Sequence, residues 1–258
     1  MSDRSAGGDR GARGRGGARG VAYTVLTPAN HYACRLPNLP GAEVVKLVTP
    51  RLAPARFAEY LVGLPPGGGT SDPAAPGFET FLYGLAGKVV VDAGEDGVLP
   101  LGPGGFVYLP AATGFALRGD PGAASRLLWL KRRYDPFPGV DAPGLAAGHR
   151  GDEAFEDTAV RGLRRRELLD PADPGFDFNM SLLAFEPGID LGKIEIHDEE
   201  HGLYMTAGGG DYLLDRDRHA VVEGDFIYMA PYCPQGFEAG DDGGAEYLLY
   251  KDVYRDGF

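Results

Sequence analysis

One glutamate, two histidines and a glutamine have side chains that could bind a metal ion. Glu195, His197 and His201 lie within one short segment, and Gln235 follows further along the chain. On an extended strand, residues two apart point to the same face. The spacing therefore predicts that one carboxylate and two imidazoles converge on one side, unless a turn within residues 198–200 changes the geometry.

The chemistry of this set favours a divalent first-row metal. Two imidazole nitrogens, one carboxylate oxygen and one amide oxygen give two N and two O ligands with a net charge of about −1. An octahedral ion held in this way would keep two positions open for water or substrate. The oxygen content favours Mn²⁺ or Fe²⁺, and Zn²⁺ is not excluded. The alternative is a solvated acidic loop, because Asp198, Glu199 and Glu200 lie inside the segment.

Short strands and turns must position these residues. The chain has 258 residues, enough for one large domain or two smaller ones. Its 41 Gly and 21 Pro lie between apolar runs, a pattern typical of all-β barrels or sandwiches. Ile194 and Ile196 alternate with the candidate ligands, so we expect them to point away from the site into apolar packing. Strands are predicted at residues 21–26, 43–48, 55–62, 81–91, 105–110 and 125–131.

The second half of the chain repeats the first. Leu82-Tyr83 matches Leu203-Tyr204 at an offset of 121, and residues 126–131 resemble residues 246–251 at an offset of 120. This spacing indicates two copies of one domain. We predict a disordered Gly/Arg-rich leader at 1–20, an N-terminal domain without a metal site at 21–134, a linker at 135–160 and a catalytic C-terminal domain at 161–258.

The repeat also distinguishes a site from packing. At these offsets the four candidate ligands fall opposite Ala74, Pro76, Thr80 and Phe115. A fold that needed the polar residues for packing should keep them in both copies, so the comparison favours a functional site in the second half.

Composition excludes several classes of function. The net charge of −12 disfavours binding to nucleic acid. No apolar run is long enough for a transmembrane helix, and no signal peptide is visible. Cys34 and Cys233 are far apart in sequence, which favours a reducing, cytoplasmic location over a disulfide framework.

The motifs resemble those of the cupin superfamily. Glu195, His197 and His201 occupy the positions of its usual His, His and acidic residue, and Gln235 occupies the position of its last His. The resemblance implies two tandem jelly-roll-like β-barrels, a bicupin, for the whole all-β chain.

The departures from the general pattern match one bicupin family, the (S)-ureidoglycine aminohydrolases of allantoin and purine degradation. Residues 229–235 and 250–253 carry the most specific part of the resemblance. It implies hydrolysis of (S)-ureidoglycine to (S)-ureidoglycolate and ammonia, at a linear C–N bond, by a homo-oligomer that binds one Mn²⁺ per chain. The metal ligands would be Glu195, His197, His201 and Gln235. Glu195, Gln235, Tyr247 and Lys251 would contact substrate, with Glu195, Lys251 and Tyr212 in the catalytic set.

The residue pattern agrees with part of this assignment. Tyr247, Leu249 and Lys251 alternate onto one face of the last strand, and a buried Lys needs an anionic partner such as a substrate carboxylate. A local acid, Asp252 or Glu246, is the alternative partner. Two other functions stay open: an Fe²⁺ dioxygenase or isomerase acting on a small acid, and a bicupin that binds a ligand without catalysis.

Overall fold

The protein consists almost entirely of antiparallel strands. The computed structural model describes residues 18–19, 22–37, 39, 41–51, 53–72, 77–111 and 113–253. Twenty strands are present in this part: β1 Ala18–Arg19, β2 Tyr23–Leu26, β3 Glu43–Val48, β4 Phe57–Leu64, β5 Gly69–Asp72, β6 Phe78–Ala86, β7 Val89–Asp92, β8 Val98–Leu101, β9 Gly105–Leu109, β10 Phe115–Gly119, β11 Ser125–Arg133, β12 Ala146–His149, β13 Glu156–Asp157, β14 Leu163–Glu167, β15 Phe178–Phe185, β16 His201–Leu214, β17 Asp217–Val222, β18 Phe226–Met229, β19 Gln235–Ala239 and β20 Ala245–Asp252.

The strands form two barrels of the cupin type. In the first, the six-stranded sheet β12-β9-β6-β11-β4-β3 faces the four-stranded sheet β5-β10-β7-β8. In the second, β16 is long enough to join both walls, pairing with β18 and β20 through its first half and with β17 and β19 through its second. The all-β bicupin fold predicted from the sequence is therefore confirmed.

Each barrel has an apolar interior, and a third core lies between the barrels. Phe115 and Trp129 pack edge to face inside the first barrel, where they fill space together with aliphatic side chains. The second interior is lined by Tyr212, Phe237 and Tyr247 among others. The cluster between the barrels draws residues from both halves, so the two copies share one continuous buried face.

Strand register reproduces the internal repeat. Thr80 lies opposite Lys131 in the first barrel, as His201 lies opposite Lys251 in the second. The same bulge occurs in both copies, since Leu85 and its counterpart, the residue between Met205 and Ala207, are skipped by the partner strand. The duplication read from the sequence is thus also a duplication of hydrogen-bond pattern.

The sheets do not follow the predicted domain boundaries. Strand β2, assigned by sequence to the N-terminal domain, pairs with β18 of the second barrel. Strand β12, inside the predicted linker, pairs with β9 of the first barrel. Of the predicted leader, Ala18–Arg19 pairs with β2, and the rest lies outside the described residues. These pairings join residues far apart in sequence, which no local pattern reveals.

Two short 3₁₀ turns, Pro28–Asn30 and Gly94–Asp96, are the helical elements of the described chain. None of the described helices has the length and apolar character needed to cross a lipid bilayer.

Candidate functional site

Glu195 and Gln235 are held together by the backbone. The Glu195 N–H donates to the Gln235 carbonyl at 2.8 Å, and the Gln235 N–H donates to the Glu195 carbonyl at 2.9 Å. Gln235 begins β19, whereas Glu195 makes only an isolated bridge. Paired residues project to the same face of a sheet, so the carboxylate and the amide enter the barrel side by side.

The two histidines complete a contiguous group. His201 begins β16 and is buried, with 4% of its surface exposed. The His197 ring packs edge to face against it, with centroids 5.1 Å apart. His197 Nε2 lies 3.4 Å from the Glu195 Oε2. Contacts therefore run from His201 through His197 and Glu195 to Gln235.

All of the sequence-predicted site residues line one cavity of about 260 Å³. The four candidate ligands lie there together with Tyr212, Tyr247 and Lys251. Apolar side chains form much of the remaining wall: Val160, Leu163, Leu183, Leu191 and Leu249. A small polar molecule could enter with its charged groups facing the four candidate metal ligands and its remaining surface against apolar side chains.

Two lysine–glutamate pairs set the charge at this cavity. Lys193 Nζ lies 2.9 Å from Glu195 Oε1, and Lys251 Nζ lies 3.0 Å from Glu199 Oε1. Burial alone would raise the pKa of Glu195, but the hydrogen bond and charge of Lys193 outweigh it and lower that pKa. The Lys251 partner is thus a local acid, as the alternative supposed, but it is Glu199 rather than Asp252 or Glu246.

His201 is neutral. Burial, followed by the nearby His197 and Lys251, lowers the pKa of His201 to about 3. Its Nδ1 atom is buried and has no hydrogen-bond partner among the described residues. A neutral imidazole with an unsatisfied buried nitrogen is suited to metal binding, because ligand nitrogens must be unprotonated.

Two buried tyrosines provide hydrogen-bond donors. The Tyr212 hydroxyl donates to Gln235 Oε1 at 3.4 Å and also contacts Tyr247 through a side-chain hydrogen bond. Burial raises the pKa of both phenols. Both hydroxyls therefore stay protonated at neutral pH and can donate to a bound molecule.

The residues present fit a divalent ion in donor type. Among the described residues, no three His, Cys, Asp or Glu side chains form a preformed metal cluster, and the Glu195 carboxylate is paired with Lys193 instead. Lys193 contacts only Oε1 of Glu195, so Oε2, which faces His197, remains available as an oxygen donor to an ion.

Three expectations from the sequence need correction. Ile194 and Ile196 are not in apolar packing, since each is 60% exposed. They project outward because residues 193–200 form no continuous strand with a layer on their outer side. Glu200, read as part of a possible solvated loop, is buried.

The counterpart of Glu195 in the first barrel is also not the residue expected from the sequence offset. Because Glu195 pairs with Gln235 as Asp72 pairs with Phe115, the strand register places Asp72 rather than Ala74 opposite it. The second copy has two extra residues between Leu191 and Glu195, so a fixed sequence offset fails there. Ala74 and Pro76 themselves lie outside the described residues.

Sequence reasoning missed part of the cavity. Lys193 lines the cavity, and Glu199 pairs with the cavity residue Lys251. Both share the alternating parity of the candidate ligands, and this signal could have identified them. Thr158 and Arg165 also line the cavity, but they come from the predicted linker and from β14. Nothing local in the sequence points to them.

Known proteins resemble this chain over most of its length. No protein-family model matches the chain. The chain is 35% identical over 238 residues to the (S)-ureidoglycine aminohydrolase of Escherichia coli strain K12, covering 91% of this chain and 89% of that protein. It is 29% identical over 241 residues to the enzyme of the same name from Arabidopsis thaliana, covering 90% and 76%.

A solved structure extends the likeness to the fold. The crystal structure of the protein Ylba from E. coli superimposes with a TM-score of 0.82 at 32% identity, over 96% of this chain and 97% of that chain. The similarity therefore spans both barrels. This chain belongs to the (S)-ureidoglycine aminohydrolase family.

Proposed function

We propose that this protein hydrolyses (S)-ureidoglycine to (S)-ureidoglycolate and ammonia in a Mn²⁺-dependent reaction, as a step of allantoin and purine degradation. The observation that carries the proposal is the convergence of all seven candidate residues on one cavity in a chain of this family. In the reaction the bond from carbon to the amine nitrogen breaks, and a bond to a water oxygen replaces it.

Four residues would hold the ion. Glu195, His197, His201 and Gln235 supply the oxygen and nitrogen donors that suit Mn²⁺, and the neutral His201 needs no deprotonation. The ion would supply Lewis-acid polarisation and a template that orients water and substrate. Glu195 would bind the ion through Oε2, while Lys193 can stay on Oε1.

The remaining residues would bind and orient the substrate. The Lys251 ammonium can exchange Glu199 for the substrate carboxylate and neutralise its charge. Tyr247 and Tyr212 can donate hydrogen bonds to the ureido group or the leaving amine, which fixes the face that water attacks. Glu195 and Gln235 lie close enough to the same space to touch the substrate as well.

The direct test measures metal and turnover on the same protein. We expect about one Mn²⁺ per chain and formation of (S)-ureidoglycolate in excess over the opposite enantiomer. His201→Ala should lose the metal and at least about 100-fold in kcat/KM, since loss of even an outer partner of a metal site costs 10–100-fold. His219→Ala is the matched control, because His219 contacts Tyr23 and lies outside the cavity.

Other outcomes would point elsewhere. Enantioselective turnover by a metal-free His201→Ala protein would overturn the proposed chemistry. Oxygen consumption on a small acid would indicate a dioxygenase, and ligand binding without turnover would indicate a non-catalytic bicupin.

Location and assembly are further parts of the proposal. Cys34 and Cys233 are both free thiols, as we expect for a protein of the reducing cytoplasm. The homo-oligomer implied by the family resemblance stays a prediction, which light scattering on the purified protein would test.

A further inference from the structure

A buried carboxylate lies directly behind the site. Glu200 precedes His201 and is 1% exposed. The Tyr228 hydroxyl donates to its Oε2 at 3.2 Å and the Tyr250 hydroxyl to its Oε1 at 3.4 Å. The Arg56 backbone N–H lies 3.1 Å from both oxygens. Glu200 is not among the residues that line the cavity, so the proposed mechanism gives it no role.

The same network holds the residues on either side of Lys251. Tyr250 donates to Glu200, and the Asp252 backbone N–H donates to the Glu200 carbonyl at 3.1 Å. Arg132, from the first barrel, lies 2.7 Å from both the Tyr250 hydroxyl and Asp252 Oδ1. Lys251 is therefore flanked by two residues that are tied to buried partners.

This network lies on the face of the sheet opposite the cavity, where it supports the residues that line the cavity. Neighbouring residues on a strand point to opposite faces. Glu200 and Tyr250 contact the core between the barrels, so His201 and Lys251 point the other way, into the cavity. His201 and Lys251 also lie opposite each other in the strand register. The hydrogen bonds on the far face of the sheet thus fix the positions of the His201 and Lys251 side chains on the cavity face.

The first barrel repeats one of these hydrogen bonds, the one from a tyrosine to the buried glutamate. Glu79 is the counterpart of Glu200, and Tyr108 is the counterpart of Tyr228. The Tyr108 hydroxyl donates to Glu79 Oε2 at 2.7 Å, and both residues are buried. The residue that follows Glu79 is Thr80, in place of a histidine. The duplication therefore provides a matched control for the Tyr228 hydroxyl within one chain.

We propose that Glu200 is a positioning residue, which sets the placement of His201 and Lys251 through the hydrogen bonds it accepts from Tyr228, Tyr250 and Arg56. The inference rests on the proposed function, because it assigns His201 to the metal and Lys251 to the substrate. It adds a role for the first barrel, which supplies Arg56 and Arg132 to the network behind the site.

The test compares Tyr228→Phe with Tyr108→Phe. Each change removes one hydroxyl that donates to a buried glutamate, so both should lower the unfolding temperature to a similar extent. Only Tyr228→Phe should weaken Mn²⁺ binding, by about 10-fold or more as for other partners behind metal ligands. The Mn²⁺ dissociation constant is measured on the metal-free protein from the electron paramagnetic resonance signal of free Mn²⁺, and kcat/KM is measured separately.

A second variant, Glu200→Gln, repeats the test at the carboxylate itself. Tyr108→Phe stays its control, because Glu79 Oε1 lies 3.7 Å from Arg132 Nε and so contacts the network directly. Equal Mn²⁺ affinity in the two tyrosine variants would overturn the inference, and so would a wild-type protein that binds no Mn²⁺. A wild-type protein that binds Mn²⁺ without turning over (S)-ureidoglycine would overturn only the proposed function, because the difference in affinity still measures positioning.

Discussion

Lys251 and Lys131 are equivalent residues with different surroundings. Lys251 lines the cavity and is paired with Glu199. Lys131, at the same register position of the first barrel, lies about 6 Å from the ring centroids of Phe78 and Trp129. A lysine can serve either as a charge beside a ligand or as a cover for aromatic rings. The surroundings, and not the residue type, decide between these roles.

We predict that Lys251→Met lowers kcat/KM by about 30- to 100-fold while the bound metal is retained. The change removes a charge-assisted hydrogen bond to the substrate carboxylate, which contributes roughly 2–3 kcal/mol. Lys131→Met should leave kcat/KM unchanged. Steady-state kinetics and metal content of both variants check the prediction, and a similar loss in both would contradict it.

The sequence brought the candidate residues to one cavity, but it did not predict their surroundings. Residue type and parity were enough to select Glu195, His197 and His201, because those signals are local. The exposure of Ile194 and Ile196 was not predictable, because it depends on whether another layer covers the segment. The burial of Glu200 was equally unpredictable. An acidic residue beside two others resembles part of a solvated loop until its partners from distant strands are known.

At the scale of single elements, β4 carries an acid in an apolar setting. Glu59 is 4% exposed on a strand that also buries Phe57 and Leu61. Burial raises the pKa of Glu59 from 4.5 to about 8. The folded protein therefore keeps this carboxyl protonated at neutral pH, whereas the unfolded chain ionises it.

We predict that stability falls as pH rises toward 8 and that Glu59→Gln removes this part of the dependence. Between about pH 5 and 8 only the folded state keeps the proton, so the contribution of Glu59 falls by about 1.4 kcal/mol per pH unit. From pH 6 to 8 the variant should gain about 2 kcal/mol relative to wild type. Urea unfolding at pH 6, 7 and 8 measures the difference, and an unchanged difference across this range would refute the assignment.

Element boundaries were predictable where turns are marked. The strand expected at residues 43–48 has those bounds in the structure. The run expected at 81–91 is two strands, β6 and β7, because Gly87 adopts a φ of +70° and turns the chain between them. A run of apolar residues that looks like one strand in the sequence can thus contain a turn at a glycine.

At the scale of the whole molecule, metal binding should stabilise the fold. A ligand that binds only the folded state adds about 2.7 kcal/mol at 100 times its dissociation constant. For a chain of this size we predict a rise in unfolding temperature of roughly 5–10 °C. Differential scanning calorimetry with Mn²⁺ and with a chelator checks this, and an equal rise in His201→Ala would show that the ion acts elsewhere.

The two-barrel plan followed from the repeat, but the connections between the barrels did not. Equal offsets between matching residues identified two copies of one domain. The pairing of β2 with β18, and of β12 with β9, joins segments across the predicted boundaries. Such pairings depend on the three-dimensional closeness of the barrels, which a single sequence does not encode in any local pattern.

The pairing of β2 with β18 has a consequence for synthesis on the ribosome. Leu26 pairs with Phe226, which is 226 − 26 = 200 residues later in the chain. At a translation rate of about 5–20 residues per second, β2 waits roughly 10–40 s for its partner strand. During this time the first barrel can form, while the side chains of Tyr23 and Val25, which are buried in the complete fold, stay exposed. The nascent chain therefore presents a short apolar strand near its N-terminus, where a chaperone could bind until the second barrel emerges.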